Sequence, residues 1–195
     1  MDYQRLLEID KPFFSHEDVA DILGIKKESA AVLCSRYVKK GLLTRLKRDL
    51  YMRTEALARL TTVDLYRIAN LLQVPSYVSL MSALSYYGVS SQVERSFVES
   101  VSIKRSKALD RGGASFRYFK VREALYGGFV KDQGVFIATP EKAMLDALYL
   151  ASMGRYSLDS SSLDLDKLDR AALHRLALDY PMKTRNFLER LYEKT

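Results

Sequence analysis

Between Ser15 and Arg53 the chain is punctuated so closely that few folds are open to it. Ser15 followed by Asp18 has the spacing of a capping box, with Asp in place of the usual Glu, and Phe14 is placed to pack back on Val19. Val19, Ala20, Ile22 and Leu23 form one apolar side, Gly24 stops the helix, and Ile25 is expected to plug the turn. A second helix is predicted over 27–40, with Gly41 supplying its C-terminal cap. Two short helices joined by a tight turn containing Gly make a helix-turn-helix unit.

On that second helix, a rotation of about 100° per residue groups Ala30, Leu33, Cys34 and Tyr37 on one side, the side expected to face the core. The opposite side carries Glu28, Val32, Ser35, Arg36 and Lys39, with Lys26 and Lys27 near the helix start and Lys40 at its end. Such a helix buries one stripe and offers cations and small side chains to a major groove. Leu42–Leu46 and Leu50–Arg53 then flank a charged tip, Lys47-Arg48-Asp49, in the pattern of a hairpin. Directly behind a recognition helix, that hairpin is the wing of a winged helix-turn-helix, with Arg45, Lys47, Arg48 and Arg53 as phosphate or minor-groove contacts. The plainer alternative is a hairpin packed into a larger core with a solvated tip. Upstream, residues 2–9 are expected to form a short helix with Tyr3, Leu6, Leu7 and Ile9 on one side, ended by Lys11-Pro12.

The charge distribution points the same way. The 195 residues carry a formal charge of +7, but it is concentrated in two islands. Residues 26–53 hold nine basic and two acidic groups, and residues 95–122 hold eight and two. A solvated surface ordinarily mixes signs, so the first island indicates a nucleic-acid partner. The second comprises Arg95, Lys104, Arg105, Lys107, Arg111, Arg117, Lys120 and Arg122, interleaved with Phe116, Tyr118 and Phe119. It is read as a DNA-facing or partner-facing patch, with a solvated strand face as the alternative.

Past residue 54 the periodicity predicts a helix within 55–72 and a hinge at Gln73-Val74-Pro75, then a helix over 77–87 stopped at Gly88. Alternation at 97–104 predicts a strand covered on one side, 115–121 a second strand beyond an Asp110–Gly113 loop, and 134–138 a third, fully buried one. Thr139, Pro140 and Glu141 open a helix over 140–152 with Ala143, Met144, Ala147, Leu148 and Ala151 inward. A Ser/Asp-rich linker at 157–166 leads to helices near 167–179 and 181–194.

Two blocks in this second half carry a family resemblance. Val74-Pro75-Ser76-Tyr77-Val78-Ser79-Leu80-Met81-Ser82-Ala83-Leu84-Ser85-Tyr86-Tyr87-Gly88 and Phe136-Ile137-Ala138-Thr139-Pro140-Glu141-Lys142-Ala143-Met144-Leu145-Asp146-Ala147-Leu148-Tyr149-Leu150 resemble the hallmark segments of the AbiEi antitoxins. These are regulators of abortive-infection, type IV toxin-antitoxin pairs, and the N-terminal region is similar to theirs. The resemblance spans nearly the whole chain in the family's domain order. It implies a cytoplasmic DNA-binding repressor of its own operon, whose C-terminal domain counters a nucleotidyltransferase-like toxin without a stable complex. The chain departs from the family pattern at the wing tip, where Asp49 stands in place of Gly. Asp tolerates a left-handed backbone, but an acid there is expected to weaken phosphate contact.

Catalytic and metal sites find little support. Glu99 and Lys104 fall on opposite faces of one strand, His16 and His174 have no nucleophile motif nearby, and one Cys with two distant His is too few ligands for zinc. Glu141 and Lys142 are explained as part of a helix start. No phosphate-binding Gly pattern, signal-peptide layout or run of 18 apolar residues occurs. The expectation is therefore an α+β, non-enzymatic, cofactor-free cytoplasmic protein. It comprises a winged helix-turn-helix at 1–56, a connecting helix and hinge at 57–75, and a mixed α/β antitoxin domain with a small sheet and C-terminal helices at 76–195. Two molecules would bind an inverted-repeat DNA operator. The alternative is a winged-helix protein-interaction module with no specific operator.

Overall fold

The computed structural model describes residues 2–92 and 95–193, a mixed α+β architecture in two compact units. One unit is Met1–Thr61 with Asp110–Ala114; the other is Thr62–Leu109 with Ser115–Thr195.

The first unit holds α1 (Asp2–Leu6), α2 (His16–Leu23), α3 (Lys27–Lys39) and the antiparallel pair β1 (Leu43–Lys47) and β2 (Leu50–Arg53). Leu6, Ile9, Phe14, Val19, Ala30, Cys34, Tyr37, Leu43 and Tyr51 share its core. Burial of a side chain of this size stabilises by about 1.5–3 kcal/mol, enough collectively to order helices too short to stand alone. Three expectations change. Helix α1 is shorter than 2–9 and leaves Leu7 exposed, because a turn follows Leu6. Ile25 faces solvent, and its backbone N–H, donated to the Ala20 carbonyl, is what closes the turn. Residues Thr54–Arg59 form a 3-10 turn rather than the start of a long helix.

The second unit is built on a six-stranded sheet. Its elements are α4 (Thr62–Leu72), β3 (Tyr77–Val78), α5 (Leu80–Tyr86), β4 (Phe97–Ser102), β5 (Lys107–Arg111), β6 (Ala114–Lys120), β7 (Phe129–Asp132), β8 (Val135–Ala138), α6 (Pro140–Ser152), α7 (Arg170–Ala177) and α8 (Met182–Glu193). The strand order is β5-β6-β4-β3-β8-β7, with β4 and β6 parallel, β3 and β8 parallel, and β3-β4 and β7-β8 antiparallel. Lys194, expected in the last helix, lies outside the described residues.

The expected hinge at 73–75 is not where the units part. Helix α4 belongs to the second unit because Asn70 brackets Phe136, donating to its carbonyl at 3.2 Å and accepting its N–H at 2.7 Å, while the Tyr118 hydroxyl donates to the Ala69 carbonyl at 2.7 Å. Tyr77-Val78 is a strand, not the first turn of a helix, since it is wedged between β4 and β8 with Val78 opposite both Ser100 and Ile137. Strand β4 is buried on both faces, which its central place demands; Glu99, Ser100 and Ser102 are therefore inside. Strands β5 and β7 form the two edges, and β5 takes in Asp110 and Arg111, which were expected in a loop. On β8, Phe136 is exposed where a fully buried strand was expected.

The start of α6 follows the expected capping: the Thr139 hydroxyl accepts the Lys142 N–H, with Pro140 in the first turn. The helix is buried on nearly all sides, packed among α5, α7 and α8, so its two internal charges are buried too. Asp146 receives four hydrogen bonds, from Lys142 and Tyr180 on one carboxylate oxygen and from Tyr77 and Ser79 on the other. Lys142 also donates to the Tyr180 hydroxyl at 2.7 Å. Burial, reinforced by the Asp146 charge, pushes both tyrosine hydroxyls far above their ordinary pKa, so both remain donors. The group is a fully satisfied structural knot in the sense that each buried polar atom has a partner.

Candidate nucleic-acid interface

The α2–α3–hairpin arrangement begins at the α2 N-terminus, where the capping box closes in both directions. Ser15 accepts the Asp18 N–H, and Asp18 accepts the Ser15 N–H at 2.7 Å. Lys11 pairs with Asp18 at 2.6 Å. Partial desolvation alone would raise the Asp18 pKa, but the bonds from Lys11 and Ser15 outweigh it and hold the carboxyl down at about 2. Gly24, at φ 67°, caps the other end of α2 in the left-handed conformation that releases the chain into α3.

Helix α3 divides its surface as the spacing predicts. Ala30, Cys34 and Tyr37 are buried and Leu33 packs partly against them. Glu28, Val32, Ser35, Arg36 and Lys39 are all exposed on the opposite side. Val32, 59% exposed, puts an apolar patch amid that polar stripe. Burial, assisted by the Asp49 charge, pushes the Cys34 thiol up to about 11, so it stays a protonated, packed side chain at neutral pH.

The hairpin places its cations unevenly. A bulge between Arg45 and Lys47 turns Leu46 inward and leaves both cations exposed. Arg45 donates to the Lys47 carbonyl at 3.3 Å, and Arg48 is exposed at the tip. Arg53 is committed to the protein: it donates to the Leu7 carbonyl at 3.2 Å and lies 3.9 Å from Glu55. Lys27 lies 3.8 Å from Glu17, and Lys26 and Lys40 are exposed at the two caps of α3.

Asp49 adopts φ 57°, the left-handed conformation expected of the residue in the Gly position. Its carboxylate turns back onto the protein. It accepts the His16 backbone N–H at 2.7 Å and lies 3.0 Å from His16 Nδ1. His16 Nε2 in turn is 2.7 Å from the Tyr51 hydroxyl. An acid in this position is accommodated because the first turn of α2 provides an N–H and a favourable dipole. This link between the tip and α2, absent from the sequence-based site, is hinted at only by an acid standing where the family pattern has Gly.

The second basic set is unevenly exposed, and its two members on β6 point to opposite faces. Lys104 and Arg105 are exposed in the β4–β5 turn, and Arg111 is exposed on edge strand β5, donating to the Asp110 carbonyl. Lys107 is half-buried, 5.1 Å over the Tyr118 ring and 3.5 Å from the Leu72 carbonyl. Arg117 and Lys120 lie three residues apart on β6 and so leave the strand on opposite faces. Among the described residues, no group of three or more His, Cys, Asp or Glu is arranged to hold a metal, and no helix is long and apolar enough to cross a membrane.

Residues 1–54 match the family model described as transcriptional regulator, AbiEi antitoxin. The match ends before the blocks at 74–88 and 136–150. Among solved structures, the RV2827C protein from Mycobacterium tuberculosis has a similar fold, with a TM-score of 0.65 and 12% identity over 97% of this chain and 74% of that one. No curated protein matches the chain.

Proposed function

We propose that the first unit is a winged helix-turn-helix that binds double-stranded DNA, with α3 in the major groove and β1–β2 as the wing. The observation carrying this reading is the pairing on α3 of a buried stripe, Ala30, Cys34 and Tyr37, with an exposed one bearing Ser35, Arg36 and Lys39. The exposed Arg45, Lys47 and Arg48 of the hairpin supply phosphate contacts beside it. With the regulator family matched over residues 1–54, the chain is read as a transcriptional repressor and antitoxin of a type IV toxin-antitoxin system. It would act in the cytoplasm by binding rather than catalysis, repress its own operon, and counter a nucleotidyltransferase-like toxin without a stable complex.

Two molecules on an inverted repeat would place their α3 helices in major grooves about one helical turn apart, roughly 34–36 Å, or a multiple of it. A gel shift on the DNA upstream of the gene tests this directly. Arg36→Ala with Lys39→Ala should abolish the specific shift while the circular dichroism spectrum is unchanged; retention of specific binding would refute the role given to α3. Co-expression with the product of the neighbouring gene tests the antitoxin role, which requires that product to be toxic alone and harmless beside this chain.

A further inference from the structure

A cleft of about 980 Å³ opens in the second unit, at the upper end of the roughly 300–1,000 Å³ usual for small-molecule sites. Its floor is one face of the sheet. Phe97 and Glu99, two residues apart on β4, point to the same side, and Arg117 on β6 is the register partner of Glu99. Tyr66 of α4, Tyr86 of α5 and Tyr156, in the segment after α6, complete the walls.

The chemistry of the lining narrows what would fit. Tyr86, Phe97 and Tyr156, each partly exposed, offer flat, sequence-tolerant stacking surface of the kind on which a base rests. The Arg117 guanidinium lies over the Phe97 ring, with its Cζ 5.7 Å from the centroid. Arg155 brings a second exposed guanidinium, one N–H of which goes to the Ser106 hydroxyl at 3.1 Å. The acids of the cleft are bound by its own walls. Glu99 accepts the Met81 N–H at 3.2 Å and the Tyr156 hydroxyl at 2.8 Å; Asp159 accepts the Ser161 N–H at 3.0 Å and the Gln92 side-chain amide at 3.0 Å. What faces a ligand is therefore partly exposed aromatic surface and two guanidiniums suited to an anionic oxygen group, with the exposed Asp159 carboxylate also in the lining.

We propose that this cleft binds a nucleoside monophosphate, with the base against the aromatic lining and the phosphate at Arg117. The site goes beyond the DNA-binding reading and is independent of it, because every lining residue belongs to the second unit.

Isothermal titration of the full chain with AMP, GMP, CMP and UMP, each set against its nucleoside and inorganic phosphate, tests the proposal. At least one monophosphate should bind, and both of its halves should bind more weakly. Arg117→Ala should weaken that binding by roughly 10- to 100-fold, as expected for loss of a charge-assisted hydrogen bond. The fold should be retained because Arg117 is exposed. Arg117→Lys should fall between the two, and Arg36→Ala with Lys39→Ala should leave nucleotide binding unchanged. No heat with any of the four, affinity indifferent to Arg117→Ala, or binding of a short oligoribonucleotide alone would overturn it.

Discussion

Asp49 shows how far a single position can be understood from sequence. An acid at the tip of a basic hairpin predicts repulsion of phosphate, and the backbone conformation, φ 57°, is the expected one. The direction of the side chain depends on residue 16, thirty-three positions away, and no local pattern signals it. Because the carboxylate is held by the His16 N–H at the start of α2, its main effect should be on stability. Asp49→Asn, which keeps a residue tolerant of the left-handed conformation, should destabilise the first unit by about 0.5–1 kcal/mol. Cys34, fully buried with its pKa pushed up to about 11, provides the probe. It should resist alkylation in the native protein, and the variant should be labelled roughly two- to fivefold faster if labelling follows local opening. DNA affinity should change by less than about fivefold, since an exposed charge interaction is worth only about 0.2–1 kcal/mol. A large gain in affinity with unchanged labelling would show that Asp49 opposes DNA instead.

Elements were legible in the sequence where punctuation and periodicity agree. Helices α2 and α3, their glycine stops, the hairpin and the Thr139-Pro140 start of α6 all carry their own local signals. Strand β3 carries none, because two residues cannot show a period, and edge strands β5 and β7 mix polar and apolar side chains much as loops do. The buried pair on α6 was illegible for a related reason. Lys142 and Asp146, four apart, have the spacing of a solvated helix pair, and only Tyr77, Ser79 and Tyr180, distant in the chain, make their burial tolerable. Lys142→Met should therefore cost about 3–5 kcal/mol in urea unfolding followed by tyrosine fluorescence, by leaving Asp146 buried without its cation. Adding Asp146→Asn should recover part of the loss. The α2 cap gives a pH-dependent counterpart. The Asp18 pKa is lowered in the fold, from 3.8 to about 2, so its contribution is present above pH 3.8 and is lost as the pH falls through 2. Asp18→Asn should cost about 1 kcal/mol near neutrality, and the difference from the parent should vanish at the acid end of that window.

At the scale of the whole molecule, the net charge of +7 conceals two basic islands carried by different elements. The two islands look alike as composition, but the first falls on α3 and the hairpin, and the second on three neighbouring strands, β4, β5 and β6. The second is divided by the pleat of the sheet: Arg117 enters a cleft, Lys107 packs over Tyr118, and Lys120 leaves β6 on the other face. Strand alternation cannot reveal such a division until the strand's neighbours are known. Salt dependence separates the two sets, because each phosphate contact contributes about 0.9 to the slope of log affinity against log salt on duplex DNA. Replacing Arg45, Lys47 and Arg48 with Ala should flatten the slope by about 2–3. Replacing Lys104, Arg105 and Lys120 should change it by less than about 1, because the DNA-binding reading places the phosphate contacts on α3 and the hairpin. An equal flattening by both triple variants would mean that DNA runs across both units, with the second island part of the same footprint.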